Sequence, residues 1–502
     1  MERRDFLKTA GAVAVSASAS LVPGISKASA GNNSIDEKSP AHRDSKQIGV
    51  SKDCRPNILL ITADQQDLGS LGIYGNKHVK TPNLDKLAQK GILFQNAFVQ
   101  GAVCMPSRAC IATGLYSHRN GVSYMDSIID DSPSIAQGQV TFWERLQTAG
   151  YHTAAFGKIH VHPEKGWSEK KTTGGKGGRW IKSAGSPLGL GPMGRDYAAW
   201  LEERHPGAYE QIYTARRNTP NFLKTGISEN PLSLEEYIDY WIAQNTIDCI
   251  ERSHSKPFFI QCGFCSPHAP IDPPKPYDTM YDPDKINLPQ DYYLRMDGGG
   301  KPRMETENKN SWPKYYAQHL GLITLVDDQI GRIVKALENK GLLENTIIIY
   351  TVDHGDIGKG SFVETAMHMP LIITGPKLKK RKVDEVTEIF DIAPTILDYT
   401  CSDIPESMDA KSLRPVLEGG SAIKDHAVCM HTSNDRSKKG ICVRTQRYKY
   451  VRWKGDGVKV PEAFYDLKKD PYERNNLISN SAYAGEISNH KLLLIDRLNN
   501  NL

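Results

Sequence analysis

The chain has 502 residues, 39% hydrophobic and 24% charged, a globular composition long enough to bury a large core without disulfide staples. Lys+Arg 63 against Asp+Glu 58 gives a net charge of +5, too mild for a nucleic-acid partner, where a strong basic patch is expected. Beyond the N-terminus no apolar run reaches the roughly 18–20 residues of a membrane span. In chain order, Asn57 to Thr62 is a buried strand ending in Ala63-Asp64-Gln65-Gln66. Thr81 to Ala88 reads as an N-capped helix stopped by Gly91, and Thr141 to Glu144 has capping-box spacing for a helix ending at Gly150. A strand at 153–156, a helix at 234–252, a strand at 257–264 and a helix at 313–340 follow. The next strand, 345–352, runs into Asp353-His354-Gly355. Residues 165–182 and 273–312 read as long loops. The first is rich in Gly and Lys, so it is either a polyanion contact or a solvated charged loop.

Alternating buried strands and helices predict an α/β fold, a large mostly parallel sheet sandwiched by helices. Ligands in such sheets gather at the carboxyl ends of strands, where Asp64 and Asp353 both fall. Four short β-like pieces between 426 and 467 and a helix near 485–498 predict a smaller C-terminal α+β subdomain with an antiparallel sheet. The expected boundaries are 1–30, 31–52, 53–400 and 401–502. Residues 1–30 pair Arg3-Arg4 with an apolar stretch and Ala28-Ser29-Ala30, an export signal that resembles the twin-arginine type. Residues 31–52 are a polar linker. The mature protein is therefore expected in the periplasm or secreted, with no membrane span once the signal is removed. Nine cysteines leave at least one thiol unpaired, and Cys262-x-x-Cys265 in a strand-like run reads as buried thiols.

The sharpest feature is Cys104-Met105-Pro106-Ser107-Arg108. Pro106 suits the first turn of a helix, which places Cys104 at a helix N-terminus near a cation, an activated nucleophile beside an anion site. With Ala112-Thr113-Gly114 after it, and with Gly150-Tyr151-His152-Thr153-Ala154-Ala155-Phe156-Gly157-Lys158-Ile159-His160, the string resembles the two signatures of the formylglycine-dependent sulfatases, in the alkaline-phosphatase-like superfamily. Thr81-Pro82-Asn83-Leu84-Asp85 and Tyr465-Asp466-Leu467 extend the likeness over most of residues 55–480.

The resemblance implies an alkaline-phosphatase-like fold and hydrolysis of sulfate esters, on a sugar or polysaccharide. It implies oxidation of Cys104 to formylglycine by a maturation enzyme. The hydrated aldehyde has one oxygen to attack sulfur and a second to expel sulfate. It implies a calcium ion held by Asp64, Gln65, Asp353 and His354, the glutamine and histidine standing where Asp and Asn are common. Arg108 neutralises the nucleophile, Lys158 and His160 contact sulfate, and His160 is the base for its release. His268 lies near the leaving oxygen. Lys359 aligns with the sulfate-binding lysine if the residues usually found before it are deleted, and His368 replaces an arginine. Either Lys359 or His268 protonates the leaving group. Two further readings are a phosphonate or phosphodiester hydrolase of the same superfamily and a catalytically dead binder of sulfated glycans.

Overall fold

The computed structural model describes residues 55–125, 134–177, 195–252, 255–290, 311–433 and 436–499. The export signal and linker read at 1–52 lie outside the described residues. So do Cys54, Arg179, Lys182 and residues 291–310. Among the described residues no helix is long and apolar enough to cross a membrane.

Eight strands form the main sheet: β1 (Asn57–Asp64), β2 (Ile92–Phe98), β3 (His152–Gly157), β4 (Glu169–Thr172), β5 (Phe258–Pro267), β6 (Thr346–Val352), β7 (His368–Thr374) and β8 (Arg381–Glu388). Their order is β4-β3-β5-β1-β6-β7-β2-β8. β7 runs antiparallel to both β6 and β2, and the other pairings are parallel. Every residue of β1, β5 and β6 is buried, as expected of central strands covered on both faces. The helices Ile238–Glu251 and Trp312–Asn339 bury long apolar faces in the core.

Two expectations need correcting. The basic segment 165–182 is not wholly a loop, because Glu169–Thr172 forms β4 at the sheet edge. Charged residues there block further strand pairing. Its Lys165, Lys170 and Lys176 lie 3.0, 3.1 and 3.2 Å from Glu144, Glu164 and Asp272, so much of its charge is already matched. Thr81 precedes the helix Pro82–Lys90 but does not cap it with its side chain. Its hydroxyl accepts from the Gly72 N–H instead. Asp327, from the helix Trp312–Asn339, accepts from the N–H groups of Asn83 and Leu84 at 3.0 and 2.7 Å, a tertiary cap invisible to local pattern. The Thr141–Glu144 capping box forms as read.

A second sheet, β9 (His426–Thr432), β10 (Lys438–Thr445), β11 (Tyr448–Gly455) and β12 (Glu462–Asp466), is antiparallel in the order β12-β11-β10-β9. It docks beside the segment leading into the Cys104 helix, where Met430 N–H donates to Gln100 O. From β11 the fully buried Lys449 ammonium donates to Phe362 O (2.7 Å) and Glu364 Oε1 (2.9 Å) and pairs with Glu473. Arg444 meets Glu364 at 3.0 Å. Burial works against a charge on Glu364, but Lys449 and Arg444 outweigh it and hold its carboxyl well below the usual range. Removing one partner from such a cluster strands buried charge. Lys449→Met is therefore expected to cost about 3–5 kcal/mol in a denaturant titration. An unchanged unfolding midpoint would show that the cluster does not hold this corner together.

Candidate active site

Register brings the distant residues together. Ala63 of β1 pairs with Val352 of β6, so the next residue of each chain segment, Asp64 and Asp353, emerges at the same end of the sheet. Both are fully buried. Between them enters the helix Cys104–Thr113, all ten of whose residues are buried, as a helix with no polar face requires. Val103 is extended at its N-cap, Pro106 sits where no intrahelical N–H is needed, and Gly114 ends it at φ 65°.

Cys104 Sγ is the centre of the cluster. His354 Nε2 lies 3.0 Å from it, Lys359 Nζ 3.2 Å and Asp64 Oδ1 3.7 Å. Burial pushes the thiol up, but Lys158 and Lys359 outweigh it and bring its pKa down to about 7. Lys158 Nζ pairs with Asp64 Oδ2, and Arg108 Nε donates to Asp353 Oδ2 at 2.9 Å. Burial would raise the Asp64 pKa, yet Lys158, His268, Arg108 and Lys359 hold it well below the usual carboxylate range. Arg108 Nη2 stands 3.9 Å from Asp64 Oδ1 and makes no hydrogen bond among the described residues.

Lys158 owes its place to two glycines. Gly157 is at φ 89°, and a Cβ there would come within 2.2 Å of Gly263 O. A Cβ on Gly263 would come within 2.2 Å of Lys158 O. The close approach lets Lys158 O accept from Arg108 Nη1 at 3.0 Å, tying the two cations into one frame.

His160 is buried in the left-handed region at φ 55°. Its Nε2 faces Gly174 O at 2.8 Å, and a carbonyl only accepts, so the proton is on Nε2. Nδ1 then carries a lone pair and has no hydrogen-bond partner among the described residues. Burial, then Lys158 and Arg108, hold the His160 pKa well below its ordinary value. His268 donates Nδ1–H to Ala269 O (2.6 Å) and turns Nε2 to Lys359 Nζ at 3.5 Å.

The donor atoms of Asp64, Cys104, Asp353 and His354 all lie within 4.8 Å of one another. Gln65 Oε1 faces the same cluster through Lys359 Nζ, at 3.0 Å. Two carboxylates and an amide oxygen suit a hard cation. His354 donates Nδ1–H to Gly355 O at 2.8 Å, which turns Nε2 inward to Cys104 Sγ at 3.0 Å. Burial disfavours a charged imidazole, but Asp353 and Cys104 outweigh it and raise the His354 pKa. The two carboxylates and the amide oxygen fit a divalent ion, and His354 joins them only by giving up its Nε2 proton.

Nine of the ten residues singled out in the sequence are thus joined by direct contacts around Cys104, and His160 feels the charges of Lys158, Arg108 and Asp64 beside them. His368 does not join it. Its Nε2 is engaged with Gln95 O at 2.6 Å and its ring packs on Phe98. Three residues at the site escaped the sequence reading: Asp67, Asp356 and Tyr315. Asp67 Oδ1 accepts from the N–H groups of Asp356 and Ile357 at 2.9 and 3.2 Å. A signal was present, since both strand ends read Asp-x-x-Asp, Asp64 to Asp67 and Asp353 to Asp356.

Comparison with known proteins agrees with this geometry. The family model "Sulfatase" matches residues 56–402, and the model "N-sulphoglucosamine sulphohydrolase, C-terminal" matches residues 353–499. An arylsulfatase of Clostridium perfringens is 32% identical over 88% of this chain and 94% of its own length. An N-acetylglucosamine-6-O-sulfatase of Bacteroides thetaiotaomicron is 28% identical over 86% of this chain and 84% of its own. The solved phosphonate monoester hydrolase of Agrobacterium radiobacter superposes with a TM-score of 0.71 at 24% identity, covering 89% of this chain and 96% of that one, a likeness of fold. A nucleophile cradle of this construction, under a family match that runs through most of the chain, places the protein in the sulfatase family as a sulfuric ester hydrolase.

Proposed function

We propose that this is an exported, calcium-dependent sulfatase that removes sulfate from a sulfated sugar or polysaccharide, using formylglycine formed from Cys104 by a maturation enzyme. The observation that carries the reading is the ring of fixed cations around residue 104, with Arg108 Nη2 and the lone pair of His160 Nδ1 buried and unmatched. A tetrahedral oxyanion offers acceptor oxygens to the first. A hydroxyl of the reacting centre offers a proton to the second. The sugar substrate is supported by the N-acetylglucosamine-6-O-sulfatase relative. Periplasmic or secreted location is supported by Arg3-Arg4 and the apolar stretch that follows.

Asp64, Gln65, Asp353 and His354 would hold the calcium, which when bound polarises the sulfate and acidifies the nucleophile. Formylglycine supplies a hydrated aldehyde in place of a simple thiol. Arg108, Lys158 and Lys359 neutralise the sulfate oxygens and exclude water from them. His160 Nδ1 takes the proton that must leave residue 104 when sulfate is released. Lys359 Nζ and His268 Nε2, 3.5 Å apart, share the proton that goes to the leaving alcohol.

Desulfation of a panel of defined sulfated oligosaccharides, with an aryl sulfate and an aryl phosphodiester alongside, tests the reading. A higher kcat/KM for the phosphodiester overturns it. The acid limb of the pH profile tests His160. A depressed pKa keeps Nδ1 unprotonated at lower pH, and the group acts after the alcohol has left, so kcat rather than kcat/KM should persist below the ordinary histidine value of 6.5. A loss centred near about 6.5 would assign the base to another group.

A further inference from the structure

An amide at residue 65 leaves the cation cradle one negative charge short of a cradle with a carboxylate there. Behind that amide the structure places a carboxylate, Asp356. Gln65 is fully buried at φ 62°, a conformation held by its N–H on Asp353 Oδ1 at 3.0 Å. Its side-chain amide stands between two groups of opposite character. Lys359 Nζ meets Oε1 at 3.0 Å, and Nε2 donates to Asp356 Oδ1. An ammonium only donates and a carboxylate only accepts, so the amide has one orientation, oxygen toward the Cys104 cluster and nitrogen away from it. Asp356 is itself held. Tyr315 Oη donates to Oδ2 at 2.8 Å, and the Asp356 N–H donates to Asp67 Oδ1 at 2.9 Å. One turn along the same helix, the buried His319 ring stacks on Tyr315, centroids 5.9 Å apart and planes 17° apart, and fixes the phenol.

We propose that Asp356 is a positioning residue for the calcium ion: through Gln65 it aims Oε1 at the ion and returns the negative charge that the amide lacks. A carboxylate bonded to the N–H side of an amide polarises it and makes its oxygen a better donor to a cation. Tyr315 completes the relay by keeping Asp356 turned to Gln65. The inference rests on the calcium reading of the site.

The test is calcium binding, not turnover. Full-length protein matured at residue 104 is stripped with a chelator and titrated with calcium chloride by calorimetry, with melting followed in chelator. Asp356→Leu should weaken calcium binding by about 10–100-fold. Asp356→Asn keeps an acceptor for Nε2 without the charge and should recover part of that loss. Tyr315→Phe should lose least. A purely structural Asp356 would lower the metal-free melting temperature and leave calcium affinity unchanged. Folded Asp356→Leu that binds calcium as tightly as wild type overturns the inference. Should that variant fail to fold, wild-type affinity in both Asp356→Asn and Tyr315→Phe overturns it equally. Wild-type protein that takes up no calcium removes the calcium reading itself, a result distinct from either.

Discussion

Cys104→Ala should lower kcat/KM by at least about 10⁴-fold, on any sulfate ester, while the protein still folds. The side chain is buried, but it faces Lys359, His354 and Asp64 rather than apolar core. Its loss leaves the strand ends, Arg108 and Lys158 bonded to one another as before. Surrounding donors stabilise charge but supply no nucleophile, so a variant without one retains only binding and electrostatics. Cys104→Ser sharpens the test. A serine hydroxyl can accept a sulfuryl group but has no second oxygen to expel it, so about one equivalent of alcohol should be released per enzyme and then nothing. Steady turnover by Cys104→Ser, or appreciable activity in Cys104→Ala, would place the nucleophile elsewhere. Peptide mass spectrometry on wild-type protein from a maturation-competent host is the companion measurement. An intact thiol at residue 104 there would contradict the proposed formylglycine.

The chemistry was more legible than the arrangement. β1 and β6 announce themselves as apolar runs that stop at an aspartate, because central strands covered on both faces have no polar alternation to blur the signal. Cys104 to Arg108 and Gly150 to His160 hold four of the ten candidate site residues in two short strings. Strand order was not legible, since parallel pairing joins residues hundreds of positions apart and leaves no local mark. β2 and the antiparallel β7 went unread because Gln95-Asn96 and Pro370 break their apolar runs. Nor could the His160 proton be assigned from sequence, because Gly174 O, on another segment, decides it. Asp356 was hidden by its neighbours. Two expected ligands stand just before it and drew the reading, and only the hydrogen bond to Gln65 ties Asp356 to the site. The basic run at 165–182 shows the converse error of composition, since three of its lysines turn out to be matched by carboxylates of the same chain.

Lys359→Ala is expected to have the second largest effect, and its size should depend on the leaving group. The lysine reaches the centre because the segment after it is pinned at three points. Gly360 at φ 78° donates its N–H to Ala102 O at 2.9 Å, Ser361 Oγ bonds Gly358 O at 2.6 Å, and buried Lys449 anchors Phe362 O. That brace carries Nζ to 3.0 Å from Gln65 Oε1, 3.2 Å from Cys104 Sγ and 3.5 Å from His268 Nε2. Two contributions would vanish together: charge on the sulfate oxygens, needed by every substrate, and a proton for the departing alcohol, needed only when that alcohol leaves poorly. A sugar sulfate should therefore lose about 10³-fold or more in kcat, while nitrophenyl sulfate, whose phenolate leaves unaided, should lose about 10–100-fold. Lys359→Arg should restore little, because a planar guanidinium cannot fit the point between Gln65 and Cys104 that an ammonium fills. Equal losses on both substrates would strip Lys359 of any proton-donating part and hand that role to His268. Near-normal activity on both would mean that the residue seated 3.2 Å from the nucleophile does not serve the reaction at all.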